Sequence, residues 1–138
     1  MAQVLSPQNP TIKLIRSLSE KKFRQETGLF VAEGWEMLDR ARKAGWAPVH
    51  LVSTEPIAAW GEARPILVTE KVMEGLSGQN NPHNVIATFG QRYVGEIVPS
   101  GVWVALEDMR DPGNLGTIIR TADAVAASGV ILVGQSCD

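Results

Sequence analysis

The chain has 138 residues, 44% of them hydrophobic, and a formal net charge of −2. This composition excludes a collagen-like or disordered chain and favours one or two folded domains. A single cysteine, Cys137, excludes an internal disulfide framework, and no apolar run approaches the ~20 residues that a membrane helix needs. Since the N-terminus also lacks a signal-peptide pattern, the sequence predicts a cytoplasmic protein that does not contact a membrane.

The charges are unevenly distributed along the chain. Residues 1–50 hold eight basic and five acidic residues, whereas residues 51–138 hold five basic and ten acidic ones. A cluster of five bases lies close to the N-terminus: Lys13, Arg16, Lys21, Lys22 and Arg24. Such a cluster can contact a phosphate backbone, but on charge alone a solvated helix face is the favoured explanation.

Apolar spacing and turn residues predict an alternating α/β unit in the first 90 residues. Asn9 and Pro10 form a start signal for the first helix, and Gly45 is a stop signal for a later one. Helices are predicted at 10–18, 21–25, 35–44 and 71–76, and strands at 29–32, 49–53, 66–68 and 85–89. Four strands with intervening helices are typical of an α/β domain.

A second α/β unit is predicted after a loop that is poor in apolar residues. Residues 1–92 form the first predicted domain and 93–101 a linker. Residues 102–138 then contain an apolar strand at 102–106, a helix at 115–127 and a strand at 130–133. This order predicts parallel strands joined by a right-handed crossover helix.

The turn after the strand at 102–106 carries the strongest functional signal. Pro112 and Gly113 favour a turn, and Asn114 is a predicted helix N-cap. Arg120 follows six residues later, and an arginine there can bind a phosphate or carboxylate through two hydrogen bonds. The alternative is structural: Asn114 only caps the helix, and Arg120 only pairs with a neighbouring acid such as Asp111.

Other chemical signals are weak. His50 and His83 lack further ligands at metal spacing, so no metal site is predicted. The four tryptophans are interpreted mainly as core residues, and no phosphate-binding loop of the familiar nucleotide type follows a strand.

Two segments resemble the SpoU/TrmH-type RNA 2′-O-ribose methyltransferases of the SPOUT superfamily. The segment 104–124 resembles the family's first signature motif, with the Asn-to-Arg spacing kept. Residues 9–13, 21–24 and 28–34 resemble its substrate-binding domain. Together the two resemblances cover nearly the whole chain, in the expected order.

The resemblance implies an architecture. Residues 1–92 would form an α/β/α sandwich like certain ribosomal RNA-binding proteins. Residues 102–138 would begin a Rossmann-like domain with a trefoil knot. The resemblance also favours RNA contact by the basic cluster, and it implies a homodimer.

The implied activity is methyl transfer from S-adenosylmethionine to a ribose 2′-hydroxyl, with ribosomal RNA preferred over transfer RNA. Arg120 would hold the target phosphate and Asn114 would orient Arg120 or the RNA backbone. Because an arginine with a pKa above 12 is a poor base, electrostatic clamping is the expected role.

The family's second and third motifs, which supply the cofactor loops and the knot, are not found in these 138 residues. The chain is therefore expected to be a fragment that lacks the cofactor site and is inactive alone. A stand-alone RNA-binding module and a scaffold without RNA are the alternatives.

Overall fold

The computed structural model describes residues 6–138 and divides the chain into two compact units, Met1–Arg92 and Tyr93–Asp138. No helix within residues 6–138 combines the length and the apolar character needed to cross a membrane. Residues 93–101 form no helix or strand.

The first unit contains four strands, as predicted, and they form one mixed sheet. Its elements are α1 (Pro10–Ser17), α2 (Lys21–Thr27), β1 (Leu29–Glu33), α3 (Trp35–Lys43), β2 (His50–Ser53), β3 (Pro65–Leu67), α4 (Glu70–Glu74) and β4 (Val85–Gly90). The strand order is β1-β4-β2-β3. β4 runs antiparallel to both of its neighbours, whereas β2 and β3 are parallel.

Local signals set the helix ends in this unit. The Asn9 side chain accepts hydrogen bonds from the backbone N–H groups of Thr11 (2.9 Å) and Ile12 (3.3 Å), which confirms it as the cap of α1. The last turn of α3 is followed by Gly45 with φ of +76°, the left-handed conformation that glycine adopts without strain.

Alternating side chains of the sheet build two cores on opposite faces. On one face Ile86 of β4 packs in a cluster with Ile12 and Ile15 of α1. On the other face Phe89 of β4 packs in a cluster with Leu38 of α3. Helices therefore cover both faces, and the predicted α/β/α sandwich is confirmed.

The second unit consists of β5 (Trp103–Glu107), α5 (Pro112–Ala124) and β6 (Gly129–Val133). β5 and β6 are parallel, with Trp103 opposite Gly129 and Glu107 opposite Val133. The predicted strand–helix–strand order is thus confirmed.

Candidate catalytic turn and candidate RNA-binding surface

The loops that follow β5 and β6 lie at the carboxyl ends of two neighbouring parallel strands, where open α/β sheets bind ligands. Backbone and side-chain hydrogen bonds join the two loops. The Asp108 carboxylate accepts from Gln135 N–H at 2.7 Å, the Met109 N–H donates to Ser136 Oγ at 3.1 Å, and the Cys137 N–H donates to Met109 O at 2.7 Å. These bonds connect the two loops, whereas the side chains of Arg110 and Gln135 are exposed.

Helix α5 begins three residues earlier than predicted, and the assignment of Asn114 as its N-cap is wrong. Asp111 is the cap: its side-chain oxygen accepts from the Asn114 N–H at 2.9 Å, and Pro112 occupies the first helical turn. Proline is favoured there because its missing N–H would have had no partner. Asn114 therefore lies inside the first turn, and its side chain is not needed to cap the helix.

Arg120 and Asn114 are exposed on α5. Among residues 6–138 neither side chain forms a hydrogen bond or ion pair, so the predicted alternative of a structural pair between Arg120 and an acid is not observed. By contrast, the Thr117 and Thr121 hydroxyls donate to the carbonyls one turn earlier. Both side chains proposed for catalysis are thus available to a ligand.

The structure does not bring Asn114 and Arg120 into contact with each other. Six residues of α-helix separate them by ~9 Å along the axis and turn them ~120° apart around it. A direct orienting bond from Asn114 to Arg120 is therefore absent in this structure. A ligand that contacts both must extend along the helix, as a nucleic-acid backbone does.

The five basic residues proposed for RNA binding lie on α1 and α2 of the first unit. Lys13, Arg16, Lys21 and Lys22 are exposed, whereas Arg24 is half-buried. Arg24 donates from Nη1 to the carbonyls of Leu18 (2.9 Å) and Ser19 (3.0 Å), where α1 has just ended. Its guanidinium therefore contributes to the connection between the two helices, whatever else it binds.

Arg16 also contacts the protein, because its Nε donates to the Gly75 carbonyl at the end of α4 with a long 3.4 Å distance. The Lys22 ammonium lies 5.6 Å from the centre of the Phe23 ring. Lys13 and Lys22 are accordingly members of this cluster whose charges can readily reach a phosphate backbone.

Neither histidine belongs to a group suited to metal binding, since residues 6–138 contain no cluster of three or more His, Cys, Asp or Glu side chains with that geometry. The His50 Nδ1 lies 2.8 Å from the Thr88 hydroxyl. Desolvation by burial lowers the pKa of His50 below its ordinary value of 6.5. The ring is therefore neutral near pH 7, as a structural histidine on a sheet is expected to be.

The sequence analysis did not identify one further group of residues with side chains suited to ligand binding. The general assignment of tryptophans to the core is wrong for Trp35, which is 50% exposed, although Trp46 and Trp60 do pack against the core around Phe89. Trp35 borders a cleft with Asp39 and Arg42 of the same helix. The spacing of four and seven residues, which puts three side chains on one helix face, is the signal that could have found them.

The sandwich and the parallel strand–helix–strand unit place the chain among α/β proteins. Residues 9–87 match the MRM3-like substrate binding domain, and residues 101–138 match the SpoU rRNA Methylase family. The chain belongs to the SpoU/TrmH-type methyltransferase family.

Relatives and solved structures agree with this assignment. The chain is 31% identical to an uncharacterized tRNA/rRNA methyltransferase of Synechocystis, with 100% of this chain and 55% of that protein covered. It is 28% identical to the 23S rRNA (guanosine(2553)-2′-O)-methyltransferase RlmP of Bacillus subtilis, with 100% and 57% covered. It superposes on the AdoMet-bound rRNA methyltransferase of Sinorhizobium meliloti with a TM-score of 0.85 and 43% identity, covering 99% of this chain and 56% of that one. The chain thus spans about half the length of the relatives it matches.

Proposed function

We propose that this chain belongs to an S-adenosylmethionine-dependent RNA 2′-O-ribose methyltransferase, in which the first unit binds RNA and the Asp111–Asp123 segment forms part of the catalytic site. The observation that carries the proposal is the uncommitted guanidinium of Arg120, on a helix that starts at the ligand-binding edge of β5 and β6. The names of the Bacillus and Sinorhizobium relatives support the reaction type and the cofactor.

S-adenosylmethionine would supply the methyl group. Several groups after β5 and β6 are paired with each other, among them the Met109 N–H with Ser136 and the Asp108 carboxylate with the Gln135 N–H. Because the family's second and third motifs, which supply the cofactor loops, are not found in these 138 residues, we expect the cofactor to be bound mainly by protein outside them. The remainder of a knotted SPOUT domain, as the resemblance implies, would provide that site.

The proposed role of Arg120 is electrostatic. Its guanidinium would hold the phosphate next to the target ribose by two parallel hydrogen bonds. The same positive charge stabilises negative charge that develops on the 2′-oxygen as its proton leaves to the substrate phosphate or to water. The side-chain amide of Asn114, ~9 Å away along α5, would contact the RNA backbone at a neighbouring position.

We further propose that ribosomal RNA is the substrate, that the enzyme is a homodimer and that it acts in the cytoplasm. A substrate-binding domain in front of the catalytic unit and the ribosomal substrates in the relatives' names support the choice of RNA. The dimer rests on the family resemblance alone.

The catalytic proposal is tested by methylation of ribosomal RNA by the full-length gene product. Arg120→Ala is expected to lower the methylation rate by about 100-fold or more, as the removal of a transition-state donor does, while RNA affinity falls modestly. Arg110→Ala, an exposed arginine just before the turn, is the matched control and should leave the rate nearly unchanged. Equal effects of the two substitutions would contradict the assigned role of Arg120.

RNA binding is tested by reversing charges on the basic surface. Lys13→Glu combined with Lys22→Glu is expected to weaken binding and to reduce the salt dependence of the affinity. Arg24 is left intact because its bonds to Leu18 and Ser19 make its loss a folding defect. Arg64→Glu combined with Lys71→Glu, at two exposed bases of the first unit outside α1, α2 and α3, is the control, and the proposal fails if both double variants weaken binding equally. If the basic-surface variant alone weakens binding but the intact protein never methylates RNA, the chain serves as an RNA-binding module without catalysis.

A further inference from the structure

A cleft of about 330 Å³ lies between α3 and the segment before Trp60, on the sheet face opposite α1. Its main lining residues are Trp35, Leu38, Asp39, Arg42, Ile57 and Trp60. This volume is at the lower end of small-ligand pockets and suits one nucleobase or nucleoside.

The cleft has one fixed and one exposed aromatic wall. The Trp60 ring is fixed by an edge contact with Phe89, with the ring centres 5.6 Å apart. The Trp35 side chain is 50% exposed. Because an aromatic side chain is large and apolar, its exposure to water is among the most unfavourable in free energy. A planar ligand that stacks on Trp35 would remove this surface from water.

The polar groups at the cleft are one acceptor and one donor on neighbouring positions of α3. Asp39 uses Oδ2 to pair with Lys43 at 2.7 Å, and its Oδ1 has no partner among residues 6–138. The Arg42 guanidinium lies 4.6 Å from the centre of the Trp60 ring and forms no hydrogen bond or ion pair within the same residues. Residues three apart on a helix are neighbours, so both groups can contact one ligand.

We propose that this cleft binds a guanine base. The N1–H and N2–H groups of guanine donate to the Asp39 carboxylate, and its O6 and N7 accept from Arg42, the arrangement in which arginine commonly recognises guanine. The base stacks on Trp35, as bases in single-stranded RNA stack on aromatic side chains. Adenine has an acceptor at N1 and a donor at N6, so it mismatches both side chains.

The base could belong to a free nucleotide or to an unpaired guanosine of RNA, and only the second source rests on the proposed function. In that case the cleft is a second RNA contact, on the other side of the sheet from the basic surface of α1. Binding of the free nucleotide does not depend on methylation or on Lys13 and Lys22. The failure of either proposal can therefore be recognised separately.

The test is a titration of the 138-residue chain with GMP, IMP and AMP, followed by the NMR signal of the Trp35 indole N–H. GMP is expected to bind saturably, IMP about tenfold more weakly because it lacks the N2 amino group, and AMP more weakly still. A short single-stranded RNA with one guanosine, compared with the same RNA carrying adenosine, distinguishes the RNA source from the free nucleotide.

Matched substitutions on α3 assign the contacts. Trp35→Leu, followed by the NMR signal of the Trp60 indole N–H, and Asp39→Asn should each weaken GMP binding about tenfold. Glu36→Gln removes a similar exposed ion pair, between Glu36 and Arg40, and should change nothing. Arg42→Ala should also weaken GMP binding, whereas Arg40→Ala should leave it unchanged. The proposal is overturned if neither GMP nor the guanosine RNA perturbs the Trp35 signal at millimolar concentration, if AMP binds as well as GMP, or if Glu36→Gln weakens binding as much as Asp39→Asn.

Discussion

The two units of this chain bury their apolar surface to very different degrees. In the first unit β4 is buried along five of its six residues, and helices cover both faces of the sheet. In the second unit the buried apolar residues are Leu115 and Ala122 of α5, while Val102, Val125 and Val133 are 69%, 71% and 48% exposed. The first unit therefore has a core of its own, and the second exposes surface that usually marks a contact with further protein.

This difference has a functional meaning. The proposed RNA-binding residues stand on a framework that its own packing stabilises. The proposed catalytic residues lie on helix α5, which is supported only by one face of a two-stranded sheet. Substitutions that separate the stability of the two units test whether the contrast is real.

The largest effect is expected from the core of the first unit. Phe89→Ala removes a 1% exposed ring that packs against Phe30, Trp46 and Trp60, and should lower the free energy of unfolding by about 3–5 kcal/mol. Leu115→Ala in the second unit should cost about 2 kcal/mol, because its thin surroundings can collapse into the space. Hydrogen exchange of the β4 and β6 amides measures the two units separately. Equal losses at the two sites would contradict the contrast.

The second largest loss of stability is expected on substitution of Gly134, and Gly28, which has a similar backbone angle, is the comparison. Gly134 has φ of +74°, and an added Cβ would collide with the Asp108 carboxylate that accepts from Gln135. Gly134→Ala should therefore cost about 2–3 kcal/mol and disrupt the loops after β5 and β6. Gly28 has φ of +67° with open space around it, so Gly28→Ala should cost only the backbone term of about 1 kcal/mol. Thermal unfolding followed by circular dichroism compares them, and equal losses would show that the contact with Asp108 is unimportant.

A smaller effect distinguishes the two residues that could cap α5. Asp111→Ala should destabilise the second unit by about 1 kcal/mol because the Asn114 N–H loses its acceptor. Asn114→Ala should leave stability nearly unchanged, while the proposed activity of the full-length protein falls. Urea denaturation measures the first effect. A stability loss confined to Asn114→Ala would restore the cap predicted from sequence.

These cases show what the sequence could and could not predict. Helix and strand order follows from local signals, such as Asn9 before Pro10 and Gly45 after α3. The cap of α5 was misplaced because Asp111 and Asn114 are both good caps, and only the rule that a cap precedes proline selects Asp111. The strand order β1-β4-β2-β3 depends on pairings far apart in the chain, which no local pattern encodes.

Among the candidate functional residues, too, some features could be predicted from local sequence and others could not. The exposed positions of Arg120 and Lys13 were foreseeable from helix periodicity. The contacts of Arg24 with Leu18 and Ser19 require the turn between α1 and α2, and the cleft beside Trp35 requires the packing of a distant segment against α3. Non-local packing therefore decided which basic and aromatic side chains remain open to a ligand.

The smallest effect is a pH dependence confined to the first unit. Because burial lowers the pKa of His50 in the folded state, the unfolded chain binds the proton more readily. The free energy of unfolding should therefore fall as the pH drops below 6.5 toward the folded-state pKa, and should be fully recovered above 6.5. His50→Gln should flatten this dependence. Urea titrations between pH 5 and pH 8, about the range in which histidine changes charge, measure the effect. An unchanged slope in His50→Gln, or a loss of protection in β6 rather than β4 on acidification, would place the titrating group elsewhere.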